Sequence, residues 1–182
     1  MTERDDNDIL KDFGNPALSN SAFNELIQKY KVRLYWHVRK MVIDHDDTDD
    51  ILQNTFIKIW KGLPNFQGDS KLFTWLYRIA TNECLTFLKN KNKRFFVKID
   101  DANNDFTTQL ESDPYFDGDK AQIKLQQAIH QLPDKQKLVF NMRYFDEMSY
   151  ENMSAALGTS EGALKASYHF AVKKIEEFLK TD

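Results

Sequence analysis

The stretch Met148–Phe178 decides the fold of the C-terminal half of the chain. It reads Met148-Ser-Tyr-Glu-Asn-Met-Ser-Ala-Ala-Leu-Gly-Thr-Ser-Glu-Gly-Ala-Leu-Lys-Ala-Ser-Tyr-His-Phe-Ala-Val-Lys-Lys-Ile-Glu-Glu-Phe178. Ser149 is suited to cap a first helix, and Gly158 suits the left-handed residue that ends it. Thr159 or Ser160 then caps a second helix with apolar residues at helical spacing. The pattern predicts a helix-turn-helix, whose second helix can lie in the DNA major groove, or equally an ordinary helical hairpin.

The composition restricts the class of protein. The chain has 182 residues, 41% hydrophobic and 29% charged, which suffices for one globular domain or two small ones. Cys84 is the only cysteine, so an intrachain disulfide is impossible. The polar, acidic N-terminus is unlike a signal peptide, and no apolar run approaches the roughly 20 residues of a membrane span. We therefore expect a cytoplasmic protein without membrane insertion of its own.

Hydrophobic periodicity divides the chain into two helical blocks. Residues 1–20 are charged and are predicted to form a flexible N-terminal arm. Helical spacing runs through residues 21–94 and returns in residues 120–182. Between the blocks, residues 95–119 carry seven acidic and one basic side chain, without a period, which is typical of a linker. The predicted fold is all-α: two small helical domains joined by an acidic flexible linker, the C-terminal one a helix-turn-helix.

The second helix of the first block has an unusual polar face. This helix is expected to be capped by Asp47 or Thr48 and to end near Lys61. Ile57 lies in the middle of its polar face, and a small apolar spot with a polar rim is typical of a protein contact. A solvated helix face would explain the same residues. The candidate contact residues are Asp49, Asp50, Gln53, Asn54 and Ile57.

The third helix of the first block combines aromatic and basic side chains. Phe73, Trp75 and Tyr77 point in different directions around it, so some of these rings should reach the surface. Rings for base stacking beside cations for phosphates are how proteins hold single-stranded nucleic acid. Packing of the rings against the first two helices is the alternative. The neighbouring polar and basic residues are Lys71, Arg78, Asn82, Lys89, Lys91, Lys93 and Arg94.

Three stretches together resemble bacterial RNA polymerase sigma factors of the sigma-70 family, in the extracytoplasmic-function (ECF) group. Asp47-Thr-Asp-Asp-Ile-Leu-Gln-Asn-Thr-Phe-Ile-Lys-Ile-Trp60 is similar to the segment that docks on the polymerase clamp. Phe66-Gln-Gly-Asp-Ser-Lys-Leu-Phe-Thr-Trp-Leu-Tyr-Arg-Ile-Ala-Thr-Asn82 is similar to the segment that melts and reads the −10 element. Leu132–Ile175 is similar to the −35-reading domain. The resemblance implies a transcription initiation factor that binds core RNA polymerase, directs it to specific promoters and stabilises the melted −10 region.

The resemblance also implies which residues act. The polymerase-docking helix would include Asp49, Asp50 and Gln53. The residues that match the −10 segment, a segment around which family members flip a base into a pocket, are Phe66, Lys71, Phe73, Thr74, Trp75, Arg78 and Asn82. The residues that match the −35-recognition helix and its start are Ser160, Glu161, Gly162, Lys165, Ser167, His169 and Lys173.

The recognition helix departs from the family pattern. Relatives usually carry several Arg on this helix, whereas Ser167 and Phe170 occupy such positions here. Because Arg is the main bidentate reader of guanine, we expect this helix to recognise its DNA site more by shape and phosphate contacts than by bases. The partners implied by the resemblance are core RNA polymerase, promoter DNA and an anti-sigma factor.

Other functions explain less of the sequence. A two-domain helix-turn-helix transcriptional regulator without sigma activity would explain the C-terminus, but neither the face around Ile57 nor the aromatic third helix. A helical adaptor without a nucleic-acid role is a third class. An enzyme is not expected, and neither is a cofactor or metal, because no metal-ligand pattern or Gly-rich phosphate loop occurs. The histidines are scattered, at His37, His45, His130 and His169.

Overall fold

The computed structural model describes residues 4–94 and 119–180, and of residues 92–94 only the backbone. The described residues form eight α-helices and no strand, which confirms the all-α class. The helices are α1 (Asp6–Phe13), α2 (Ser19–Val42), α3 (His45–Gly62), α4 (Leu72–Arg94), α5 (Lys120–His130), α6 (Asp134–Tyr144), α7 (Tyr150–Leu157) and α8 (Glu161–Lys180). None of the helices in these ranges is both long and apolar enough to cross a membrane.

Local caps form the predicted turn between α7 and α8. The Ser149 hydroxyl accepts a hydrogen bond from the Asn152 N–H at 3.2 Å. Gly158 ends α7 with a φ of 64°, in the left-handed region that glycine adopts without strain. The Ser160 hydroxyl accepts from the Ala163 N–H at 3.4 Å. The helix-turn-helix prediction is confirmed.

The start of α3 differs from the prediction. Its N-cap is Asp44, whose carboxylate accepts from the Asp47 N–H at 2.9 Å. The buried Thr48 hydroxyl instead donates to the Asp44 carbonyl at 2.6 Å. Capping by Asp47 or Thr48 is therefore wrong. Several acidic residues suit both a cap and a first helical turn, so composition alone did not separate these positions.

The predicted flexible arm over residues 1–20 is also wrong for its described part. Helix α1 occupies this segment, and the Asp5 carboxylate caps it by accepting from the Asn7 N–H at 2.7 Å. Ile9 is fully buried. The Phe13 ring lies edge-on to Trp60, with 5.1 Å between centroids. Burial of Ile9 and Phe13 explains why so charged a segment becomes helical.

The two helical blocks pack against each other across one apolar core. Helix α2 contacts α6, and α4 contacts α7. Met142 and Met153 from the C-terminal block are fully buried in the same cluster as Leu34 and Leu76. A second core lies within the C-terminal block, made of Ala128, Ile129, Leu132, Phe140, Ala171 and Ile175. The predicted linker, residues 95–119, lies outside the described residues except for Asp119, the N-cap of α5.

A buried polar cluster links the two blocks. Asp146 accepts a hydrogen bond from Lys40 Nζ at 2.7 Å and lies 3.2 Å from His37 Nδ1. The other ring nitrogen of His37 is 2.8 Å from the Thr81 hydroxyl. Burial opposes ionisation of Asp146, but His37 and Lys40 outweigh burial and hold its pKa below the ordinary value. Such a cluster favours one arrangement of the blocks, because losing one partner strands a buried charge.

Candidate functional site

The five candidate contact residues of α3 form one exposed face. Asp49, Asp50, Gln53 and Asn54 are exposed, and Ile57 among them is 47% exposed. The opposite side of the helix is buried and carries Ile51, Thr55 and Ile59. The face therefore has the polar-rimmed apolar character of a protein-docking surface.

This α3 face continues onto α2, in a part of the surface that was not predicted from the sequence. The Trp36 ring, 38% exposed, lies edge-on to Tyr35 at 5.3 Å. The Tyr35 hydroxyl is 2.9 Å from His45 Nδ1, and His45 Nε2 is 3.6 Å from the Asp49 carboxylate. The available signal was the pair Val32 and Trp36, four residues apart and outside the inward stripe of α2. Both side chains are exposed.

The rings of α4 pack on their own domain more than the sequence indicated. Trp75 is half-buried and lies against Phe66, with 5.3 Å between ring centroids. Phe73 contacts the Tyr77 ring at 4.4 Å, and the Arg33 guanidinium lies 4.3 Å from its centroid. Tyr77 is buried, and burial raises the pKa of its hydroxyl. The packing alternative therefore holds for Tyr77 fully and for Phe73 and Trp75 in part.

One predicted nucleic-acid residue is in the core. Thr74 is 1% exposed, so its side chain cannot contact DNA, and this prediction is wrong. Its hydroxyl oxygen has no hydrogen-bond partner among the described residues. Position 74 lies on the side of the helix opposite Leu72 and Leu76, so their periodicity did not predict its burial. Helix α4 packs against α2, α3 and α7, and its buried surface therefore extends beyond that stripe.

A cleft separates the start of α1 from the segment that precedes α4. Its volume is about 650 Å³, and three predicted nucleic-acid residues, Phe66, Lys71 and Phe73, line it. The opposite wall carries Arg4, Asp6 and Lys29. Lys29 pairs with the Asp6 carboxylate at 2.9 Å. The wall from α1 was missed, because that segment was predicted to be flexible.

The polar side chains farther along α4 differ in their surroundings. The exposed Arg78 guanidinium donates to the Ala155 carbonyl of α7, across the contact between blocks. Lys91 pairs with Asp47 at 2.7 Å. Asn82 and Lys89 are exposed. The remaining predicted basic residues, Lys93 and Arg94, have side chains outside the described part of the chain.

Helix α8 turns its predicted DNA-binding residues outward. Its inner side is anchored by the buried residues Leu164, Ala171 and Ile175. Ser160, Glu161, Gly162, Lys165, His169 and Lys173 are exposed, and Ser167 is half-buried. The Phe170 side chain is 54% exposed, which is unusual for a large apolar ring. Across residues 4–94 and 119–180, no group of three or more His, Cys, Asp or Glu side chains is arranged to hold a metal ion.

Comparison with known proteins identifies the family. Residues 26–94 match the family Sigma-70 region 2, and residues 122–175 match the family Sigma-70, region 4. The chain belongs to the sigma-70 family. As a sigma factor it acts in transcription initiation, which excludes the regulator without sigma activity. The two matches fall on the two helical blocks, in the order predicted from the sequence.

Relatives and solved structures agree with this assignment. The RNA polymerase sigma-H factor of Pseudomonas aeruginosa is 28% identical over 175 residues, covering 87% of this chain and 86% of the relative. The ECF RNA polymerase sigma factor SigW of Bacillus subtilis is 28% identical over 156 residues, covering 81% and 83%. This sigma factor is therefore placed in the ECF group.

Two solved structures share the fold. CnrH, in complex with the cytosolic domain of CnrY, has a TM-score of 0.69 at 22% identity, covering 96% of both chains. RpoE of Bartonella quintana, in complex with the anti-sigma factor NepR, has a TM-score of 0.70 at 21% identity. That likeness covers 88% of this chain and 98% of RpoE.

Proposed function

We propose that this sigma factor works through two domains, residues 21–94 and residues 120–182, which have separate partner surfaces. Helix α1 adds a wall to the first domain. The first domain docks on core RNA polymerase and holds the melted −10 region. The second recognises the −35 element. The observation that carries this division is that the α3 face, the cleft beside Phe66 and the outward side of α8 are three distinct surfaces on one chain.

The α3 face is the proposed polymerase-docking surface. Its exposed residues surround Ile57, and the Trp36 ring extends it through Tyr35 and His45. An exposed aromatic ring beside a polar-rimmed apolar residue is the composition of an interface core. The buried side of α3 packs on α2 and α4, so this face is available without unfolding the domain.

The cleft beside α4 is the proposed site for an unpaired −10 base. Phe66 and Phe73 provide ring surface, and Lys71 provides a cation for a phosphate. A flipped base gains stacking and edge hydrogen bonds in such a pocket. Trp75 supports this cleft from behind through its contact with Phe66. In this arrangement Arg78 contacts α7, so its use on DNA requires the two domains to separate.

The outward side of α8 is the proposed −35 surface. The residues near its start reach base edges when such a helix lies in the major groove. Lys165 and Lys173 hold phosphates, which position the domain but carry no sequence information. The protein performs no covalent chemistry in this scheme and acts in the cytoplasm. A proposed further partner is an anti-sigma factor, as in the complex of RpoE with NepR.

Transcription with purified core polymerase on a pool of promoter fragments tests the function. Promoter-dependent starts that need this protein are expected, since a regulator or adaptor alone produces none. For the docking face, Asp50→Ala with Gln53→Ala should weaken core polymerase binding at unchanged helical content. The matched control, Glu176→Ala with Lys180→Ala, changes two exposed residues at the far end of α8 and should bind normally. Equal affinity of both double variants for core polymerase would remove the docking assignment.

A further inference from the structure

The outward side of α8 carries two neighbouring lines of side chains. Gly162, Ala166 and Phe170 are spaced by four residues and all exposed, so they follow one line along the helix. The exposed residues Lys165, His169 and Lys173 follow the next line with the same spacing. We call these the apolar line and the basic line. The apolar line begins with almost no side chain and ends with a full aromatic ring.

Helix α8 has few side chains for hydrogen-bonded base recognition. It contains no Arg, Asn or Gln, so among the side chains that form bidentate pairs with guanine or adenine only lysines are present. Its basic line can contact phosphates through Lys165 and Lys173. Each of these lysines also meets a glutamate one turn away, Lys165 with Glu161 at 3.3 Å and Lys173 with Glu177 at 4.0 Å. Such exposed pairs are weak, so a phosphate can replace them.

The major groove offers one apolar feature, the C5-methyl group of thymine. Ala and Phe side chains are suited to contact it. Gly162 and Ala166 allow the helix backbone to come close to the groove floor, and Phe170 extends from the third turn. We propose that the apolar line of α8 recognises thymine methyl groups in the −35 element, with Phe170 as the principal specificity residue. This inference rests on the proposed −35 role of α8 and names its base preference.

A protein partner is the competing occupant of the exposed Phe170 ring. The adjacent basic line favours DNA, because a polyanion neutralises Lys165 and Lys173 along its phosphate backbone. The centroid of the Phe170 ring also lies 5.9 Å from that of the His169 ring, a polar neighbour. The position of Phe170 on the second helix of a helix-turn-helix points to the same occupant.

Removal of the thymine methyl groups tests the proposal. The complex with core polymerase first selects promoter fragments from a random pool, and the selected −35 element should be rich in thymine. Deoxyuridine then replaces each thymine of that element, which deletes the methyl and keeps every hydrogen-bonding group. For a methyl that Phe170 covers, we expect binding to fall about fourfold, the equivalent of burying one methyl-sized group. Equal binding of thymine and deoxyuridine promoters would overturn the proposal.

Two variants separate the apolar line from the basic line. Phe170→Ala should bind the thymine promoter more weakly and lose the difference between thymine and deoxyuridine at one position. Lys165→Ala, the matched control on the neighbouring line, should weaken both promoters equally and keep that difference. An unchanged thymine preference in Phe170→Ala would contradict the inference. So would a Phe170→Ala variant that binds DNA normally but loses binding to a protein partner. Thermal melting checks that both variants remain folded.

The same experiments keep the inference apart from the proposed function. Promoter-dependent transcription without a thymine preference would leave the sigma-factor assignment intact and remove only the role of Phe170. Absence of any promoter-dependent transcript would remove the proposed function and the inference together.

Discussion

Helices α4 and α8, the two proposed to contact promoter DNA, present their side chains in opposite ways. On α4, Thr74 is buried, Trp75 packs on Phe66, and Arg78 donates to α7. On α8, the apolar and basic lines are open to solvent. The reason is position in the fold: α4 contacts α2, α3 and α7, whereas α8 contacts α5, α6 and α7 through its inner side. The proposed −35 surface is therefore exposed in this arrangement, whereas the proposed −10 surface is partly covered by contacts within the protein.

The contact between the domains explains this difference. The cluster of Asp146, His37 and Lys40 lies at the same junction as the contact between α4 and α7. Changes that loosen the junction should free α4 and leave α8 unaffected. The following predictions test this contrast.

Loss of the Asp146 carboxylate should have the largest effect. Asp146→Ala leaves His37 and Lys40 without their partner in a buried contact, and we expect the docked arrangement to lose about 3 kcal/mol. The domains should then separate, which small-angle scattering detects as a larger radius of gyration.

The same cluster should make the docked arrangement dependent on pH. Because the pKa of Asp146 lies below its ordinary value, the contribution of Asp146 to stability is full above the unfolded-state pKa. The contribution decreases as the pH falls through the lower, folded-state pKa.

A neighbouring residue provides the control for this change. Glu147 follows Asp146 directly but is exposed, so Glu147→Gln should scatter like the unchanged protein. An identical scattering curve for Asp146→Ala would show that the buried cluster does not hold the domains together.

Truncation of Trp75 should have an intermediate effect. Its ring contacts Phe66 and leaves little room at Gly62, where an added Cβ would lie 3.1 Å from a ring carbon. Because the ring is only half-buried, we expect Trp75→Ala to destabilise the fold by about 2 kcal/mol, below the cost for a fully buried Trp. Urea unfolding measures this, and Trp75→Phe should recover most of it.

The Trp75→Ala variant should also be impaired in promoter opening. Trp75→Ala should reduce open-complex formation more than closed-complex binding, because the ring supports the cleft that we propose for the −10 base. A variant of unchanged stability that still loses open complexes would instead make Trp75 a direct stacking residue.

Replacement of Thr74 should have the smallest effect. Its buried hydroxyl oxygen lacks a hydrogen-bond partner among the described residues, so Thr74→Val removes an unsatisfied polar group at nearly constant shape. We expect a change in unfolding free energy within about 1 kcal/mol and normal promoter opening. The matched control is Thr86→Val, an exposed threonine on the same helix. If a stable Thr74→Val protein lost binding to the −10 element, Thr74 would be a DNA-contacting residue after all.

Local interactions account for the parts of the fold that could be predicted. The turn between α7 and α8 depends on Ser149, Gly158 and Ser160, each of which acts on backbone groups within one helical turn. The exposed α3 face followed from helical spacing alone, because its buried and exposed residues alternate with a clear period. In both regions the side chain and its partner lie close together in the sequence.

The remaining features depend on partners distant in the sequence. Asp146 meets His37 across 109 positions, and Arg78 meets Ala155 across 77. The burial of Thr74 depends on the packing of α4 against its neighbouring helices, and the order of α1 depends on the core that Ile9 and Phe13 complete. By itself, the sequence determined the helices other than α1, the helix-turn-helix and the surface of α8, because propensity, capping and period act locally. Only the tertiary structure decided which aromatic and polar residues of α4 remain free for DNA, because burial is a property of the whole packed chain.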